Sequence, residues 1–216
     1  MFLEAPLYVQ ITTRCNMRCI HCCSSCTAIG EDMSFSTFKK AIDSALSLEY
    51  GEILIGGGEP TLHPRLLDMV RYVNSQISMP KFYTDLSMIT NGTCDKSLWS
   101  RLIRFKRLKI DVSKDIFHDT SKIKPWVREW ADRLDHWWND YDNSYTIELE
   151  GRAKKNRKRI RALCRKKGYL IDFVEPYISG VNVTPSGIVT QDQGPTQVPI
   201  GQVSKKTIAT AYEGLQ

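Results

Sequence analysis

Along the 216 residues, short apolar runs alternate with longer stretches whose apolar positions return every three or four residues. The first run, Tyr8-Val-Gln-Ile-Thr-Thr13, predicts a strand. Ser34 stands where it can cap a helix through Phe35–Leu46, on which Phe38, Ala41, Ile42 and Ala45 share one stripe. Glu52–Ile55 predicts a short buried strand ending in the glycine run Gly56-Gly57-Gly58, and His63-Pro64 leads into a helix over Leu66–Val73. Leu86–Thr90 reads as a third strand closed by the turn Asn91-Gly92, followed by a helix from Leu98 to Phe105. A fourth strand covers Leu108–Ser113. Pro125 opens a helix to about Tyr141, on which Trp126, Trp130, Leu134 and Trp137 form a stripe suited to core packing. Tyr145–Leu149, Asn156–Lys167 and Leu170–Val174 then predict strand, helix and strand.

Strands alternating with helices imply parallel pairing through right-handed crossovers. Six such units predict an α/β fold, a partial (β/α)6 barrel with an open parallel sheet. From Tyr177 the pattern changes: Val181–Thr190 predicts a hairpin turning at Pro185-Ser-Gly187, and Lys206–Tyr212 a short closing helix. The expected organisation is a barrel over residues 1–176, with a β-hairpin extension and tail over 177–216 packed on the same domain. In parallel α/β folds the site lies at the carboxyl ends of the strands. The cysteine-rich loop after the first strand, the glycine run, Asn91 and Ser113 all fall there.

Composition changes this picture little. Hydrophobic content of 42% and charged content of 25% are those of a globular protein. The opening residues lack a signal-peptide pattern and no apolar run reaches membrane-spanning length, so the expectation is a cytoplasmic protein without a membrane role. A net charge of +6 favours anionic partners. Ten Lys or Arg and no acid lie between Arg152 and Lys167. Such a run is a solvated helix face, or a surface for an anionic substrate, a nucleic acid or an acidic electron donor.

Five of the seven cysteines lie between Cys15 and Cys26. Without a secretory context, metal binding explains such crowding better than disulfides. Cys15, Cys19 and Cys22, on one short loop, can turn inward around a single soft metal centre. Three thiolates on a cubane iron–sulfur cluster leave one iron open to a small molecule. The pairs Cys19/Cys22 and Cys23/Cys26 also have zinc-like spacing, and a zinc-stabilised nucleic-acid-binding module using the basic helix is the alternative. Such a module lacks a second ligand pair far along the chain. Cys23 is expected to point away, and Cys23, Cys26, Cys94 and Cys164 are read as non-ligands.

The pattern Cys15-x3-Cys19-x2-Cys22 after a first strand, with Gly56-Gly57-Gly58-Glu59-Pro60 after the second, resembles the radical S-adenosylmethionine (SAM) superfamily over most of the chain. That resemblance implies an oxygen-sensitive enzyme with a [4Fe–4S] cluster on Cys15, Cys19 and Cys22 and SAM on the open iron. It also implies a 5′-deoxyadenosyl radical that takes a hydrogen atom from substrate, and a flavodoxin- or ferredoxin-like electron donor. By the same resemblance His21 sits beside the adenine, unless it is a surface loop residue. Gly57 and Gly58 receive the SAM ammonium group with Glu59 close by. Ser113 meets the ribose, with Asp115 a second candidate. Asn91 contributes similarly or is only a turn residue, and Arg152 meets the SAM carboxylate. The segments Pro185-Ser-Gly187-Ile-Val189 and Ile200-Gly-Gln-Val203 resemble the tail of peptide-modifying members. Thr190, Gln191, Asp192 and Gln193 stand where an auxiliary-cluster cysteine would, so one cluster is expected. A nucleotide or nucleic-acid substrate suits the basic run; a peptide suits the tail.

Overall fold

The computed structural model describes residues 6–77, 84–134, 136–138, 144–148, 151–174, 180–190 and 199–213. Strand β1 (Leu7–Thr12) is followed by α1 (Phe35–Ser47), β2 (Glu52–Gly57), α2 (Leu66–Ile77) and β3 (Asp85–Thr90). Then come α3 (Lys96–Leu102), β4 (Leu108–Ser113), α4 (Pro125–Leu134), β5 (Trp137–Trp138), β6 (Ser144–Glu148), α5 (Gly151–Lys167) and β7 (Leu170–Val174). The chain continues through β8 (Val181–Val183), β9 (Ile188–Thr190), β10 (Pro199–Gln202) and α6 (Lys205–Glu213). The helix starts follow local chemistry: Ser34 accepts from Thr37 N–H at 3.1 Å ahead of α1, and Asp95 from Leu98 N–H at 2.8 Å ahead of α3.

An open sheet runs in the order β10-β9-β8-β1-β2-β3-β4-β5, parallel from β8 to β5 and antiparallel through the carboxyl-terminal strands. The register separates two faces. Leu7, Ile53, Leu86 and Leu108 are neighbours in one row, as are Val9, Ile55, Met88 and Ile110. These side chains are buried against the helices with Phe38, Ile42, Met69 and Val73. Tyr8, Leu54, Ser87 and Lys109 form a row on the opposite face, which is the inner wall of the barrel. The fold is therefore the expected α/β open partial barrel with a carboxyl-terminal hairpin.

Strand membership differs from expectation on one side. β6 and β7 pair with each other as a separate two-stranded sheet. The fifth place beside β4 belongs to β5, in residues read from sequence as helical. α4 stops at Leu134, which is 47% exposed, while Trp126 and Trp130 pack on the core as expected. The physical reason is competition for the backbone: Val112 N–H donates to His136 O at 3.0 Å and draws the chain onto β4. The end of the expected helix near Tyr141, Leu149 of the expected fifth strand, and residues 191–193 lie outside the described residues. β6, α5 and β7 build their own small core around Phe117, Ile147, Ile160 and Cys164. Among the described residues no helix is long and apolar enough to cross a membrane.

Candidate functional site

At the end of β1 the chain leaves the sheet and returns at Thr27–Asp32. Cys15 N–H donates to Thr27 O at 2.6 Å and Thr13 N–H to Glu31 O at 2.9 Å. The Arg14 guanidinium grips Asp32 through Nε at 3.0 Å and Nη2 at 2.7 Å. Residues 15–26 are thus a closed excursion with a fixed base. They form one wall of a cavity of about 470 Å³, lined by Cys15, Cys19 and Cys22. Cys23 and Cys26 line it as well. This corrects the expectation that Cys23 turns away: the loop is too short to hide a thiol that directly follows Cys22. Cys94 and Cys164 are buried elsewhere, as expected of non-ligands.

The thiols influence one another. A hydrogen bond from Cys26 pulls Cys22 down to about 6 against the cost of burial, with backbone N–H groups and Arg152 assisting. Burial pushes Cys15 up to about 11, and the charges of Glu59, Cys19 and Cys22 push the same way. Buried thiols that resist ionising together lack a cationic centre. A bound metal cluster supplies one and inverts that balance. This donor set, five thiols of one loop on one cavity wall, fits an iron–sulfur cluster that takes three of them.

The end of β2 lies against this loop. Gly57 has φ +131°, and a Cβ there would overlap the Thr12 carbonyl oxygen; at Gly58 it would overlap that of Arg14. The strand end thus packs on the base of the cysteine loop, with Gly58 N–H donating to Thr12 O and Glu59 N–H to Arg14 O, both at 2.8 Å. Gly56, Gly57 and Gly58 all line the cavity.

Glu59 does not. It is fully buried, and its Oε1 accepts from Thr61 N–H, the Thr61 hydroxyl and the Thr90 hydroxyl, while Oε2 accepts from Asn91 N–H. Burial pushes this carboxyl up, opposed by those donors. Its work is to hold the end of β2 to the end of β3.

Asn91 and Ser113 line the cavity at the ends of β3 and β4. Asn91 donates to Asn16 Oδ1 at 2.9 Å and accepts from Thr93, so its side chain is fixed to the cysteine loop.

Arg152, at the start of α5, also reaches the cavity. Its Nε donates to Cys19 O at 3.0 Å, its Nη1 to Cys26 O at 2.7 Å and its backbone N–H to Cys22 O at 3.0 Å. The guanidinium therefore clamps the cysteine loop while presenting its charge at the wall. Gly151, with φ +46°, leaves room for Cys23 O, which a Cβ would overlap.

His21 is not a surface residue. Its ring lies 4.8 Å from Phe117 and 5.1 Å from His118, and it lines the cavity. Burial lowers it to about 4, against the pull of Asp115, so it is neutral near pH 7. Its Nδ1 is buried with no hydrogen-bond partner among the described residues.

Asp115 is directed at its own loop, accepting from Phe117 N–H at 2.7 Å, His118 N–H at 2.9 Å and the His118 ring at 2.7 Å. One ligand atom each from His21, Asp115 and His118 lies within 4.8 Å of the others. Sequence reasoning missed His118 and Tyr8, both on the cavity wall. For Tyr8 the signal was available: it alternates with the core residues Leu7 and Val9, and so faces the barrel interior.

An open parallel barrel, with the thiols of one loop and a glycine strand end lining the same cavity, is the arrangement of the radical SAM class of enzyme. Residues 9–169 match the model of the Radical SAM superfamily, and the chain belongs to that superfamily. It is 43% identical over 90 residues to the tungsten-containing aldehyde ferredoxin oxidoreductase cofactor-modifying protein of Pyrococcus furiosus, covering 40% of this chain and 24% of that protein. It is 24% identical over 133 residues to GTP 3′,8-cyclase of Desulforamulus reducens, covering 57% of this chain and 40% of that enzyme. The chain spans less than half the length of either relative. Among solved structures, anSMEcpe with bound AdoMet and Kp18Cys peptide aligns with TM-score 0.61 at 14% identity, over 96% of this chain and 80% of that one.

Proposed function

We infer that Cys15, Cys19 and Cys22 hold one [4Fe–4S] cluster with SAM at its open iron. The observation that carries this reading is that these three thiols and the Gly56–Gly58 strand end line the same cavity. When bound and reduced, the pair supplies a 5′-deoxyadenosyl radical, which removes a hydrogen atom from the substrate.

The chain's own residues prepare the place. The Gly57–Gly58 strand end brings main chain to the cavity wall, where the SAM ammonium group would sit. Arg152 puts a positive charge at the wall for the SAM carboxylate while fixing the loop that bears the ligands. Ser113 and Asn91 offer polar groups to the ribose. His21, neutral and with an unpartnered buried nitrogen, suits the adenine. Glu59 acts indirectly, as a positioning residue. A reducing compartment, the cytoplasm, suits seven free cysteines.

Two substrate classes follow from the sequence and the relatives, a nucleotide and a peptide. Of α5, whose basic run suggested a nucleotide, only Arg152 lines the cavity, so the run itself does not favour that class.

Anaerobic reconstitution with iron and sulfide tests the reading. The expected product is a brown protein with about four irons per chain that releases 5′-deoxyadenosine from SAM and dithionite. Colourless protein with one zinc and no 5′-deoxyadenosine would establish the binding module instead.

A further inference from the structure

We propose that the exposed face of α5 is the docking surface for an acidic electron-donor protein, which delivers its electron to the cluster through the adjoining cysteine loop. This rests on the cluster reading above.

Charge is the first observation. α5 carries ten of the chain's 30 Lys and Arg and none of its 24 Asp and Glu. Setting α5 aside leaves 20 basic and 24 acidic side chains, a balance of −4. The positive charge of this protein is therefore concentrated on one helix. Nine of the ten cations, from Lys154 to Lys167, are exposed. Those nine line no part of the cavity, so they do not serve a small anionic substrate held there.

Position is the second. The first turns of α5 lie on the cysteine loop: Arg152 bonds to Cys19 O, Cys22 O and Cys26 O, and Asn156 Nδ2 donates to Ile20 O at 3.4 Å. Arg161 is nine positions beyond Arg152, a rise of about 14 Å along the helix. A partner attracted to Lys154, Lys155, Lys158 and Arg159 thus comes to rest beside the loop that bears the cluster ligands.

The third observation separates a protein partner from a nucleic acid. Single-stranded nucleic acids are held by cationic grooves with aromatic platforms on which bases stack. Among the described residues the rings nearest this face, Tyr169 and Phe173, are half-buried. Phe173 is also covered by the guanidinium groups of Arg157 and Arg161, each 5.2 Å from its centroid. Nine exposed cations on one helix face suit an acidic protein surface, and electrostatic steering accelerates such encounters. In the transfer itself one electron leaves the reduced donor, oxidised by one equivalent, and enters the cluster, reduced by one.

The test uses reconstituted holoenzyme with reduced flavodoxin as the acidic donor, following loss of cluster absorbance by anaerobic stopped flow. In Lys154→Gln/Lys155→Gln/Lys158→Gln/Arg159→Gln the donor-driven rate at low salt is expected to fall at least tenfold, and its dependence on ionic strength to flatten. Iron content and dithionite-driven 5′-deoxyadenosine should match the wild type, because these side chains are exposed and line no part of the cavity. An unchanged flavodoxin rate would overturn the proposal alone. So would salt-sensitive binding of poly(U) RNA that the variant loses while keeping the flavodoxin rate. A wild type that yields no 5′-deoxyadenosine with dithionite would overturn the cluster reading, and this inference with it.

Discussion

The Glu59 carboxylate accepts a hydrogen bond from the backbone N–H of Asn91 at 2.7 Å, joining the ends of two adjacent parallel strands beneath the cavity. Three further donors on Thr61 and Thr90 complete its shell. Removing it strands four donors in a dry setting. Glu59→Ala is expected to cost about 3 kcal/mol of apo-protein stability, and Glu59→Gln less, because the amide keeps one acceptor oxygen. Urea denaturation of the apo protein measures both, and equal stability of Glu59→Ala and wild type would exclude the strand-joining role.

Alanine at Cys15, Cys19 or Cys22 is expected to lower bound iron below the wild-type level and abolish 5′-deoxyadenosine formation. Cys23→Ala and Cys26→Ala should retain both, since the three ligand positions survive. Iron and sulfide analysis beside product chromatography decides this. Loss of the cluster in Cys26→Ala would move a ligand role to that residue.

Cys26 also holds the Cys22 thiol down in the apo protein. Cys26→Ala removes the largest of those influences, so Cys22 becomes less ionised near neutral pH and reacts more slowly with iodoacetamide. Peptide mapping across a pH series reads the change at Cys22 alone.

Acid should weaken the apo protein in two stages. His63 Nδ1 faces Arg65 N–H at 3.1 Å, a group that can only donate, so the proton sits on Nε2 and is given to Met33 O at 3.0 Å. Burial lowers His63, more than its bond to Met33 and the charge of Asp32 raise it. The unfolded chain therefore takes up a proton first as pH falls through about 6.5, and stability declines from there. His21, lowered in the same way, adds to this slope. Asp32 follows at lower pH: desolvation opposes its charge, but hydrogen bonds from Arg14 and Thr12 win and hold it below the usual carboxylate range. Its contribution is present above that range and lost on further acidification. Against the cost of burial, Asp115 pushes His118 up to about 10, so His118 opposes this decline above pH 6.5 and is charged in both folded and unfolded states below it. Thermal melts from pH 6.5 to 4 should therefore show the decline reduced in His63→Gln, and a wild-type Tm that is flat between pH 6.5 and 5 would contradict it.

Two glycines at positive φ separate strain from overlap. Gly168 has φ +80° with nothing near an added Cβ, and Gly168→Ala should cost about 1 kcal/mol. Gly57→Ala adds overlap with the Thr12 carbonyl and should cost well over 2 kcal/mol. It should also lower iron incorporation by displacing the base of the cysteine loop. Equal costs at the two sites would mean that the strand end can yield.

Much of this was legible in the residues because the signals are local. Ser34 and its helix, the strands to Ser113 and the hairpin at Pro185–Gly187 follow from periodicity and turn chemistry. Their strand ends brought the cysteines, the glycines, Asn91 and Ser113 to one cavity. What escaped depends on distant competition. Trp137 fits a helical stripe, yet the backbone of β4 claims its segment. β6 and β7 look like two further barrel staves, but α5 has too few apolar positions to seal a long sheet, and they pair apart. Arg152 was read for a ligand's carboxylate alone, since nothing in the sequence places three loop carbonyls around it.

β1 has β2 on one flank and β8 on the other, with Leu7, Tyr8 and Val9 opposite Val181, Asn182 and Val183. The strand that launches the cysteine loop therefore gains its second neighbour only from Val181–Val183, far along the chain. The base of the loop is flanked on both sides only when the carboxyl-terminal hairpin is docked. A chain cut before Val181 would leave that strand with one open edge, and so a defect in the tail would reach the cysteines at the opposite end of the sequence.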